Sequence, residues 1–443
     1  MEIAGKKTVV LGLGHSGEAA ADLLLREGGR VTVCESADSP ALREKAAALR
    51  ARGVRVLLGS AADSDSEIHD LAVISPGIDP VVPLVRNVVS KNIPMIGELE
   101  LAFAKCSCPV VAITGTNGKT TTTELTTRVL QGCGLRAMAS GNIGLPFAEA
   151  VQRSGEMDVM VLEVSSFQLE TIRDFRPKVA AWLNLSPNHL DRYPGMVEYR
   201  AAKLRIFENQ TSEDFAVVNA VNDLPMLRAR TSTFSASSER SDFTRRENSI
   251  FFHSEKVLDQ ADTRIPGVHN AENIMAALGI GQALGLEMHA MAKVIPDYTP
   301  PAHRCEFVRE INGIRWVNDS KSTNLDAMAQ ALRSQAAPVI LIAGGKDKGT
   351  EFDDNAALVQ EGVRAAVLIG EMRHRIAKSW SRTECRPVDS LEDAVSTAWS
   401  LARPGDVILF SPGTSSFDMF RNYGERGNLF KSLVHQLETT TTP

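Results

Sequence analysis

A glycine-rich turn in the first third of the chain contains residue types that bind phosphate. It consists of Thr114-Gly115-Thr116-Asn117-Gly118-Lys119-Thr120-Thr121, between an apolar segment and a helical one. Backbone amides of such a turn surround phosphate oxygens, while a lysine reaches the β- and γ-phosphates and a hydroxyl ligates Mg²⁺. Lys119 and Thr120 stand at these two positions, although Ile113 replaces the first glycine of the strict motif. The turn predicts a nucleoside triphosphate site, and the alternative is a turn that serves packing alone.

A second glycine turn, Gly12-Leu13-Gly14-His15-Ser16-Gly17, lies near the N-terminus. It follows a strand-like segment and opens a helix, and Glu35 ends the next strand-like segment. In dinucleotide-binding folds such glycines let the backbone approach a diphosphate, and an acid at this spacing binds a ribose. Taken alone, the pattern favours a nicotinamide dehydrogenase or a tight turn without a ligand. The chemistry of this turn specifies a nucleotide diphosphate but not a nicotinamide. Since the turn at 114–121 is also predicted to bind phosphate, the chain has two such turns, and this weakens the dehydrogenase interpretation.

Three further side chains carry chemistry that suits metal or phosphate binding. Glu163 lies near the end of the strand-like run 158–166 and could be a second protein ligand of Mg²⁺, beside Thr120. The alternative is an exposed acid at the end of a strand. His189, in the polar turn 184–192, suits a metal or phosphate ligand beside a nucleotide site, the alternative being packing. Lys203 shares a helical face with Tyr199, and this pattern by itself indicates a solvated lysine.

Polar loops also follow strand-like segments in the last third of the chain. They contain the runs 318–324, 344–349 and 411–418. Open α/β sheets bind their ligands at the carboxyl ends of strands, so these loops indicate a further ligand site. The alternative is that they only form turns.

The elements that would position these residues alternate between short apolar runs and amphipathic helical segments. This alternation predicts an α/β protein with three regions, at residues 1–97, 98–299 and 300–443. The polar stretch 231–248 predicts an exposed hairpin or loop. The proline-rich segment 296–301 predicts a linker and a hinge.

Composition excludes several other classes of protein. The 443 residues are 43% hydrophobic with a net charge of −6 and no apolar run long enough to span a membrane, so we expect a cytoplasmic protein with no nucleic-acid or membrane partner. We also expect a monomer. The six cysteines are scattered, and only Cys106 and Cys108 are close together. The C-x-C spacing is not that of a zinc site, and the cysteines are interpreted as free thiols.

Taken together, these motifs resemble the Mur ligases of peptidoglycan synthesis along nearly the whole chain. The matching segments are LGLGHSG, SPGI, GELELA, TGTNGKTTT, SGNIG, LEVSSFQLE, NHLDRY, YRAAKLRIF, GVHNAENIMAA, HRCE, NDSKSTN and SPGTSSFDMFRNYGERG. SPGI and GELELA distinguish the branch that adds D-glutamate. The resemblance implies an ATP-dependent ligase that joins D-glutamate to UDP-N-acetylmuramoyl-L-alanine through an acyl phosphate. The alternatives are a sibling ligase with another amino acid, an NAD-dependent dehydrogenase and a non-enzymatic ATP-binding protein.

The resemblance also implies the type of each region: an N-terminal Rossmann-like domain (1–97), a central P-loop ATPase-like domain (98–299) and a C-terminal Rossmann-like domain (300–443). It further implies contacts to three substrates. Those to the UDP-sugar would involve Gly14, His15, Ser16, Glu35, Gly77, Asn142 and His189. Those to ATP would involve Gly115, Thr116, Asn117, Gly118, Lys119, Thr120, Thr121, Asn273, Arg304 and Asp319. Those to D-glutamate would involve Lys321, Thr323, Lys348, Ser416 and Tyr423.

Two Mg²⁺ sites are implied as well, with ligands from Thr120, Glu163, His189 and a carbamylated Lys203. Lys119, Glu163, His189 and Lys203 would be the catalytic residues. Two departures from the family pattern stand out. Glu35-Ser36-Ala37 replaces a frequent Asp-Thr-Arg at the uracil site, and Asn188 replaces an aspartate before His189.

Overall fold

Three separate β-sheets form the framework of the chain, one in each region expected from the sequence. The computed structural model describes residues 1–190, 192–335, 337–347 and 351–437. Each sheet is mostly parallel and is accompanied by helices, so the predicted α/β class is confirmed. The D-glutamate contact predicted at Lys348 lies outside the described residues.

The N-terminal sheet has five parallel strands in the order β3-β2-β1-β4-β5. They are β1 (Lys7–Leu11), β2 (Arg30–Glu35), β3 (Arg55–Leu58), β4 (Leu71–Ile74) and β5 (Met95–Gly97). The helices are α1 (His15–Arg26), α2 (Pro40–Arg50), α3 (Ser60–Asp63) and α4 (Pro83–Ser90). Strand β1 is apolar on both faces because Val10 packs with residues of α1, while Val9 and Leu11 pack with residues of α4. The strand order reverses between β1 and β4, where such sheets bind ligands.

The central sheet has nine strands in the described residues, in the order β14-β13-β12-β11-β10-β9-β6-β8-β7. They are β6 (Val110–Thr114), β7 (Ala137–Gly141), β8 (Val159–Glu163), β9 (Val179–Trp182), β10 (Phe215–Asn219), β11 (Arg230–Ser235), β12 (Phe243–Arg246), β13 (Ser249–Phe252) and β14 (Glu255–Asp259). Only the pairs β12–β13 and β13–β14 are antiparallel among these described strands. The prediction of an exposed hairpin or loop at 231–248 is wrong, because most of β11 and all of β12 lie within it and pair in parallel.

The helices of this region pack along the central strands. They are α5 (Glu98–Phe103), α6 (Lys119–Gly132), α7 (Phe147–Ala150), α8 (Ser166–Leu169), α9 (Met196–Leu204), α10 (Val268–Ala283) and α11 (Met288–Val294). Short 3₁₀ helices lie at Val151–Glu156, Arg205–Phe207, Gln260–Asp262 and Ile295–Asp297. All five residues of β6 are buried, which fits an apolar strand with a parallel neighbour on each side.

The C-terminal sheet has the order β15-β16-β20-β17-β18-β19. Its strands are β15 (Glu306–Ile311), β16 (Ile314–Asn318), β17 (Val339–Gly344), β18 (Val363–Ile369), β19 (Glu384–Pro387) and β20 (Val407–Phe410). Its helices are α12 (Leu325–Arg333), α13 (Ala356–Gly362), α14 (Arg373–Ser379), α15 (Leu391–Leu401) and α16 (Tyr423–Gln436), with a 3₁₀ turn at Phe352–Asn355. Asn312 and Gly313 have φ of 51° and 75°, so they form a tight hairpin that makes β15 the antiparallel edge strand.

The chain forms two compact units. The first comprises Met1–Leu185, Val197–Thr263 and Ala271–Tyr298 and contains the first two sheets. The second comprises Ser186–Met196, Arg264–Asn270 and the described residues from Thr299 onward. The chain passes from the first unit to the second between Tyr298 and Thr299, within the proline-rich segment expected to be a linker. The domain boundaries at 97 and 299 and the hinge role stay predictions.

Two buried carboxylates fasten α5, which directly follows the N-terminal sheet, to the central region. Glu98 accepts a hydrogen bond from the backbone N–H of Ala148 in α7. Glu100 accepts hydrogen bonds at 2.8–3.0 Å from the three successive backbone N–H groups of residues 173–175. Because a buried charge must be compensated by donors, the GELELA motif is a structural connection within the first unit.

Candidate active site

The turn after β1 leaves room at the N-terminus of α1. A Cβ atom at Gly12 would lie 2.9 Å from Ile78 Cδ1, and one at Gly17 would lie 2.0 Å from the Gly12 carbonyl oxygen. A Cβ atom at Gly14 would meet nothing within 4 Å. The first and last glycines of the motif are therefore required by packing, whereas Gly14 borders open space beside helical N–H groups. Such a place suits a diphosphate.

The other residues predicted to bind the UDP-sugar lie at the same edge of the N-terminal sheet, apart from Asn142 and His189. His15 and Ser16 begin α1, and His15 Nε2 lies 3.4 Å from the Glu149 carboxylate in α7. Gly77 follows β4, the neighbour of β1. The Glu35 carboxylate accepts hydrogen bonds from the backbone N–H groups of Leu13 at 2.9 Å and Ala37 at 3.0 Å. Glu35 thus fixes the shape of the glycine turn.

Two asparagines contact the glycine turn after β6, and one of them hydrogen-bonds its backbone. Asn184 Oδ1 accepts hydrogen bonds from the backbone N–H of Thr116 at 3.1 Å and of Asn117 at 2.8 Å. Gly118 has a φ of +81°, and a Cβ atom there would lie 2.4 Å from Asn273 Oδ1. Asn184 was missed in the sequence, where the available signal is an amide side chain just after β9, the parallel neighbour of β6.

Two lysines donate to the backbone of this turn. Lys119 Nζ lies 3.0 Å from the Gly115 carbonyl oxygen and 2.9 Å from that of Thr116. Lys203 Nζ donates to the same Gly115 oxygen at 2.9 Å and lies 4.7 Å from the centroid of the Tyr199 ring. Lys203 is only 1% exposed, so the indication of a solvated lysine is wrong. Burial, with the nearby charge of Lys119, holds the pKa of Lys203 well below its ordinary value.

A carboxylate stands directly beside the turn. Glu163 ends β8 and is 3% exposed, so the alternative of an exposed acid at a strand end is wrong. Its Oε2 accepts a hydrogen bond from Thr120 Oγ1 at 2.6 Å, and its Oε1 accepts one from Asn142 Nδ2 at 2.8 Å. Both oxygens are thereby oriented next to the hydroxyl predicted to ligate Mg²⁺.

The first two turns of α6 complete this part of the site. Thr121 is buried, and Thr122 Oγ1 donates to Asn273 Oδ1 at 3.1 Å. The structure therefore brings one set of predicted residues together around one turn, namely Gly115, Thr116, Asn117, Gly118, Lys119, Thr120, Thr121, Asn142, Glu163, Lys203 and Asn273.

The remaining predicted residues lie in the second compact unit. Asp319 follows β16 and accepts hydrogen bonds from Ser411 Oγ at 2.8 Å and from the Cys305 backbone N–H at 3.1 Å. Burial raises its pKa to about 6 despite these donors and the charge of Arg304. His189 has a φ of +57°, and its backbone N–H donates to Asn188 Oδ1 at 3.0 Å.

Residues predicted to bind D-glutamate lie at the carboxyl ends of β16 and β20. Lys321 Nζ lies 5.2 Å from the centroid of the Tyr423 ring, and Ser416 is buried in the loop after β20. Thr323 lies in the loop between β16 and α12. These two strands are parallel neighbours, so their loops meet at one edge of the sheet.

A buried arginine, which was missed in the sequence, connects these two loops. Arg426 in α16 is 1% exposed, and its Nη2 donates to the Ser320 carbonyl oxygen at 2.8 Å while its Nε donates to Ser320 Oγ at 3.1 Å. Both of its terminal nitrogens also lie 3.4 Å from the Thr414 carbonyl oxygen. Burial lowers its pKa to about 10, which leaves the guanidinium charged at neutral pH.

Two features are absent from the described part of the chain. No group of three or more His, Cys, Asp or Glu side chains there is arranged to hold a metal ion. No described helix is both long enough and apolar enough to span a membrane.

The fold and the two turns at helix N-termini define a multidomain nucleotide-binding α/β protein. The chain belongs to the Mur ligase family. Family models match it in three consecutive segments: the MurD-like N-terminal domain at residues 6–97, the Mur ligase middle domain at 113–281 and the glutamate ligase domain at 303–413.

Relatives are similar over the full length of the chain. A protein of Geotalea uraniireducens named UDP-N-acetylmuramoylalanine–D-glutamate ligase is 43% identical over 99% of both chains. A protein of Pelotomaculum thermopropionicum with the same name is 40% identical over 98% of both. The predicted family is therefore confirmed, and family membership favours the ligase over the dehydrogenase.

Solved structures show the same fold at low sequence identity. MurC of Thermotoga maritima has a TM-score of 0.63 at 18% identity and covers 97% of this chain and 99% of its own. MurF of Acinetobacter baumannii has a TM-score of 0.63 at 17% identity, with 96% and 93% coverage. MurF ligase of Thermotoga maritima, solved in complex with ADP, has a TM-score of 0.60 at 16% identity, with 98% and 96% coverage.

Proposed function

We propose that this chain is an ATP-dependent ligase that joins D-glutamate to UDP-N-acetylmuramoyl-L-alanine. The observation that carries the proposal is the full-length identity of about two residues in five to proteins of that name. The arrangement of Lys119, Thr120 and Glu163 supports it, because these groups suit a triphosphate and its cation. Because the substrates are soluble metabolites, we further propose that the chain is cytoplasmic. We also propose that it is a monomer.

In this proposal ATP lies along the turn after β6. The N–H groups of the turn and of the start of α6 surround the phosphates, and Lys119 turns from the backbone carbonyls toward the γ-phosphate. Asn184 holds the turn in shape before ATP arrives, which lowers the entropic cost of binding. Asn273 lies against Gly118 and accepts a hydrogen bond from Thr122 in α6. Arg304 and Asp319 are also proposed to contact ATP.

The residues beside the turn fit Mg²⁺. This ion prefers oxygen ligands, usually one or two carboxylates together with substrate phosphates. Thr120 and Glu163 offer a hydroxyl and a buried carboxylate already in contact with each other. When bound, Mg²⁺ would neutralise charge on the phosphate oxygens. His189 is proposed as a further Mg²⁺ ligand. The carbamate on Lys203 is proposed as the carboxylate that supports a second Mg²⁺ ion.

The surroundings of Lys203 support the proposed carbamate. Carbon dioxide reacts with a neutral amine, and burial lowers the pKa of Lys203 so that the neutral form is accessible. The amine nitrogen forms a bond to the carbon of CO₂ and loses one proton, which leaves a carboxylate on the side chain. This change replaces a neutral buried amine by an anion beside Lys119, and the Coulomb interaction with that lysine becomes favourable.

The proposed reaction proceeds through an acyl phosphate. A carboxylate oxygen of the L-alanine end attacks the γ-phosphorus, and the bond to the bridging oxygen of ADP breaks. The amine of D-glutamate then attacks the acyl carbon, phosphate leaves and the amine proton passes to solvent. Lys119 would stabilise the charge on the transferring phosphoryl group, and no protein nucleophile is required.

The two other substrates are proposed to occupy the remaining turns. The open space at Gly14, with His15, Ser16 and Gly77 nearby, suits the diphosphate of the UDP-sugar. The loops after β16 and β20, with Lys321, Thr323, Ser416 and Tyr423, are proposed to bind the carboxylates of D-glutamate, together with Lys348. Asn142 orients Glu163 and is proposed to contact the sugar substrate as well.

Phosphate release tests the proposal. The full chain is incubated with ATP, Mg²⁺ and UDP-N-acetylmuramoyl-L-alanine, and each of a panel of amino acids is added in turn. We expect release only with D-glutamate, accompanied by a product heavier by one glutamyl residue. Release with another amino acid would identify a sibling ligase, and ATP binding without release under any condition would identify a non-enzymatic protein.

A further inference from the structure

Two thiols face each other in the loop that joins α5 to β6. Cys106 Sγ lies 3.9 Å from Cys108 Sγ and donates to the Cys108 carbonyl oxygen at 3.3 Å. Both side chains are partly buried, so a small reagent can reach them. The loop lies between the segments matched by the N-terminal and middle family models, and neither thiol has a role in the proposed reaction.

The loop is fastened on two sides, which limits how far the thiols can separate. Lys105 forms an ion pair with Glu27, at the end of α1. Ser107, between the two cysteines, is within hydrogen-bonding distance of Ser154 through both its hydroxyl (3.1 Å) and its backbone N–H (3.3 Å). Because Lys105 and Ser107 are both held in place, the two thiols stay close together, and each experiences a high effective concentration of the other.

We propose that Cys106 and Cys108 form a site of reversible oxidation that closes an intraloop disulfide. A disulfide bond is about 2.05 Å long, so the sulfur atoms must approach by about 2 Å. Both cysteines lie in irregular backbone between α5 and β6, so no helix or strand hydrogen bonds must break for side-chain and loop adjustment to bring the sulfur atoms together. No third His, Cys, Asp or Glu ligand accompanies them within the described residues, which disfavours a metal site.

The oxidant is a low-molecular-weight disulfide, written RSSR. The Cys106 thiolate attacks one sulfur of RSSR, which forms a mixed disulfide and releases RS⁻. The Cys108 thiol then loses its proton and attacks Cys106 Sγ, which forms the protein disulfide and releases the second RS⁻. Two protein thiols are oxidised and one RSSR is reduced to two RSH, so electrons and protons balance.

The two thiols differ in reactivity. Burial raises the pKa of Cys108 to about 12, and the neighbouring Cys106 adds to the rise. Since the thiolate is the nucleophile, Cys106 is expected to react first and Cys108 to resolve the mixed disulfide. Replacing Cys108 should therefore leave the mixed disulfide on Cys106 unresolved, so that it accumulates.

Mass spectrometry of the full chain after treatment with oxidised glutathione tests the proposal. We expect the unmodified chain to lose the mass of two hydrogen atoms, with the cross-link in the peptide that contains both cysteines. Cys108→Ser should instead accumulate a glutathione adduct on Cys106, about tenfold above its level in the unmodified chain. Cys106→Ser should show neither product, and the control Cys133→Ser should behave like the unmodified chain.

Two results would overturn the proposal. One is a stable glutathione adduct on Cys106 in the unmodified chain with no loss of hydrogen, and the other is formation of disulfide-linked dimers in its place. Thermal melting followed by circular dichroism shows whether each variant is folded. If a serine variant does not fold, iodoacetamide labelling of the unmodified chain before and after oxidation reports the same two cysteines, and we expect both to become protected together.

Discussion

Lys203 Nζ lies 2.9 Å from the carbonyl oxygen of Gly115, in the turn proposed to bind phosphate. The same oxygen accepts a hydrogen bond from Lys119, so two lysine side chains converge on one backbone acceptor. Their mutual repulsion and the burial of Lys203 favour its neutral amine. A buried amine next to a proposed cation site is therefore well placed for conversion to a carboxylate.

Replacing Lys203 should slow turnover without unfolding the chain. We expect Lys203→Ala to reduce the rate of phosphate release by at least about 100-fold, as loss of a preorganised charge does elsewhere. Short carboxylic acids should restore part of the rate by occupying the position of the carbamate. Lys256→Ala, which removes an exposed lysine of β14, is the control and should leave the rate unchanged. An unaffected rate in Lys203→Ala would contradict the proposed carbamate.

Glu163→Gln tests the cation site. The amide keeps an oxygen that can accept from Thr120 but removes the charge that attracts Mg²⁺. We expect the Mg²⁺ concentration for half-maximal phosphate release to rise about 10-fold to 100-fold, the range seen when metal sites are weakened. Measuring the rate of phosphate release at increasing Mg²⁺ concentrations gives this half-maximal concentration. Glu156→Gln, which changes an exposed glutamate, is the control and should leave it unchanged. An unchanged Mg²⁺ dependence would exclude Glu163 as a ligand.

The glycine turns and the apolar strands could be predicted from the sequence because each is determined by residues next to one another in the chain. The sequence shows an apolar segment directly before the turn, and the structure forms β6 there, at Val110–Thr114. The position of Glu163 beside Lys119 and Thr120 depends instead on the strand order seen in the structure, since β6 and β8 are parallel neighbours whose carboxyl ends meet.

Other features depend on contacts between distant parts of the chain and give little local signal. β11 is polar along its first half, so its sequence favours a loop, yet pairing with β10 satisfies its backbone. The burial of Lys203 arises because α9 packs it against the turn after β6, and an isolated helix would leave it in solvent. Asn184 and Arg426 are ordinary polar residues until the loops that they connect are brought together.

Gly14→Ala and Gly17→Ala form a matched pair that separates binding from packing. At Gly17 the new Cβ would lie 2.0 Å from a backbone oxygen, so we expect a loss of about 2 kcal/mol in the free energy of unfolding. At Gly14 it would enter open space, so the variant should fold normally with a KM for the UDP-sugar about tenfold higher. Denaturant unfolding and steady-state kinetics measure the two effects. A normal KM in Gly14→Ala would place the diphosphate elsewhere.

Glu98 should make the stability of the first unit depend on pH. Burial raises the pKa of its carboxyl from 4.5 to about 7, although backbone N–H groups of α7 partly oppose the rise. Because the pKa of Glu98 is higher in the folded than in the unfolded chain, its protonation stabilises the fold. This contribution is fully present below the pKa of the unfolded chain and is lost as the pH rises through 7. We expect the unmodified chain to lose roughly 2 kcal/mol between pH 5 and pH 8 through this group. Glu98→Gln keeps an acceptor for the Ala148 N–H and should remove that part of the slope.

Glu100→Gln provides the matched control on the same helix. The Glu100 carboxylate uses both oxygens to accept three backbone N–H groups, whereas an amide retains one acceptor and turns an NH₂ group toward donors. We expect this variant to lose about 2 kcal/mol at every pH, because buried donors are left without partners. Urea unfolding across pH 5 to 8 compares the two variants. If Glu98→Gln retained the full slope of the unmodified chain, titration of Glu98 would not be its source, and the buried carboxyl would have to be ionised throughout that range.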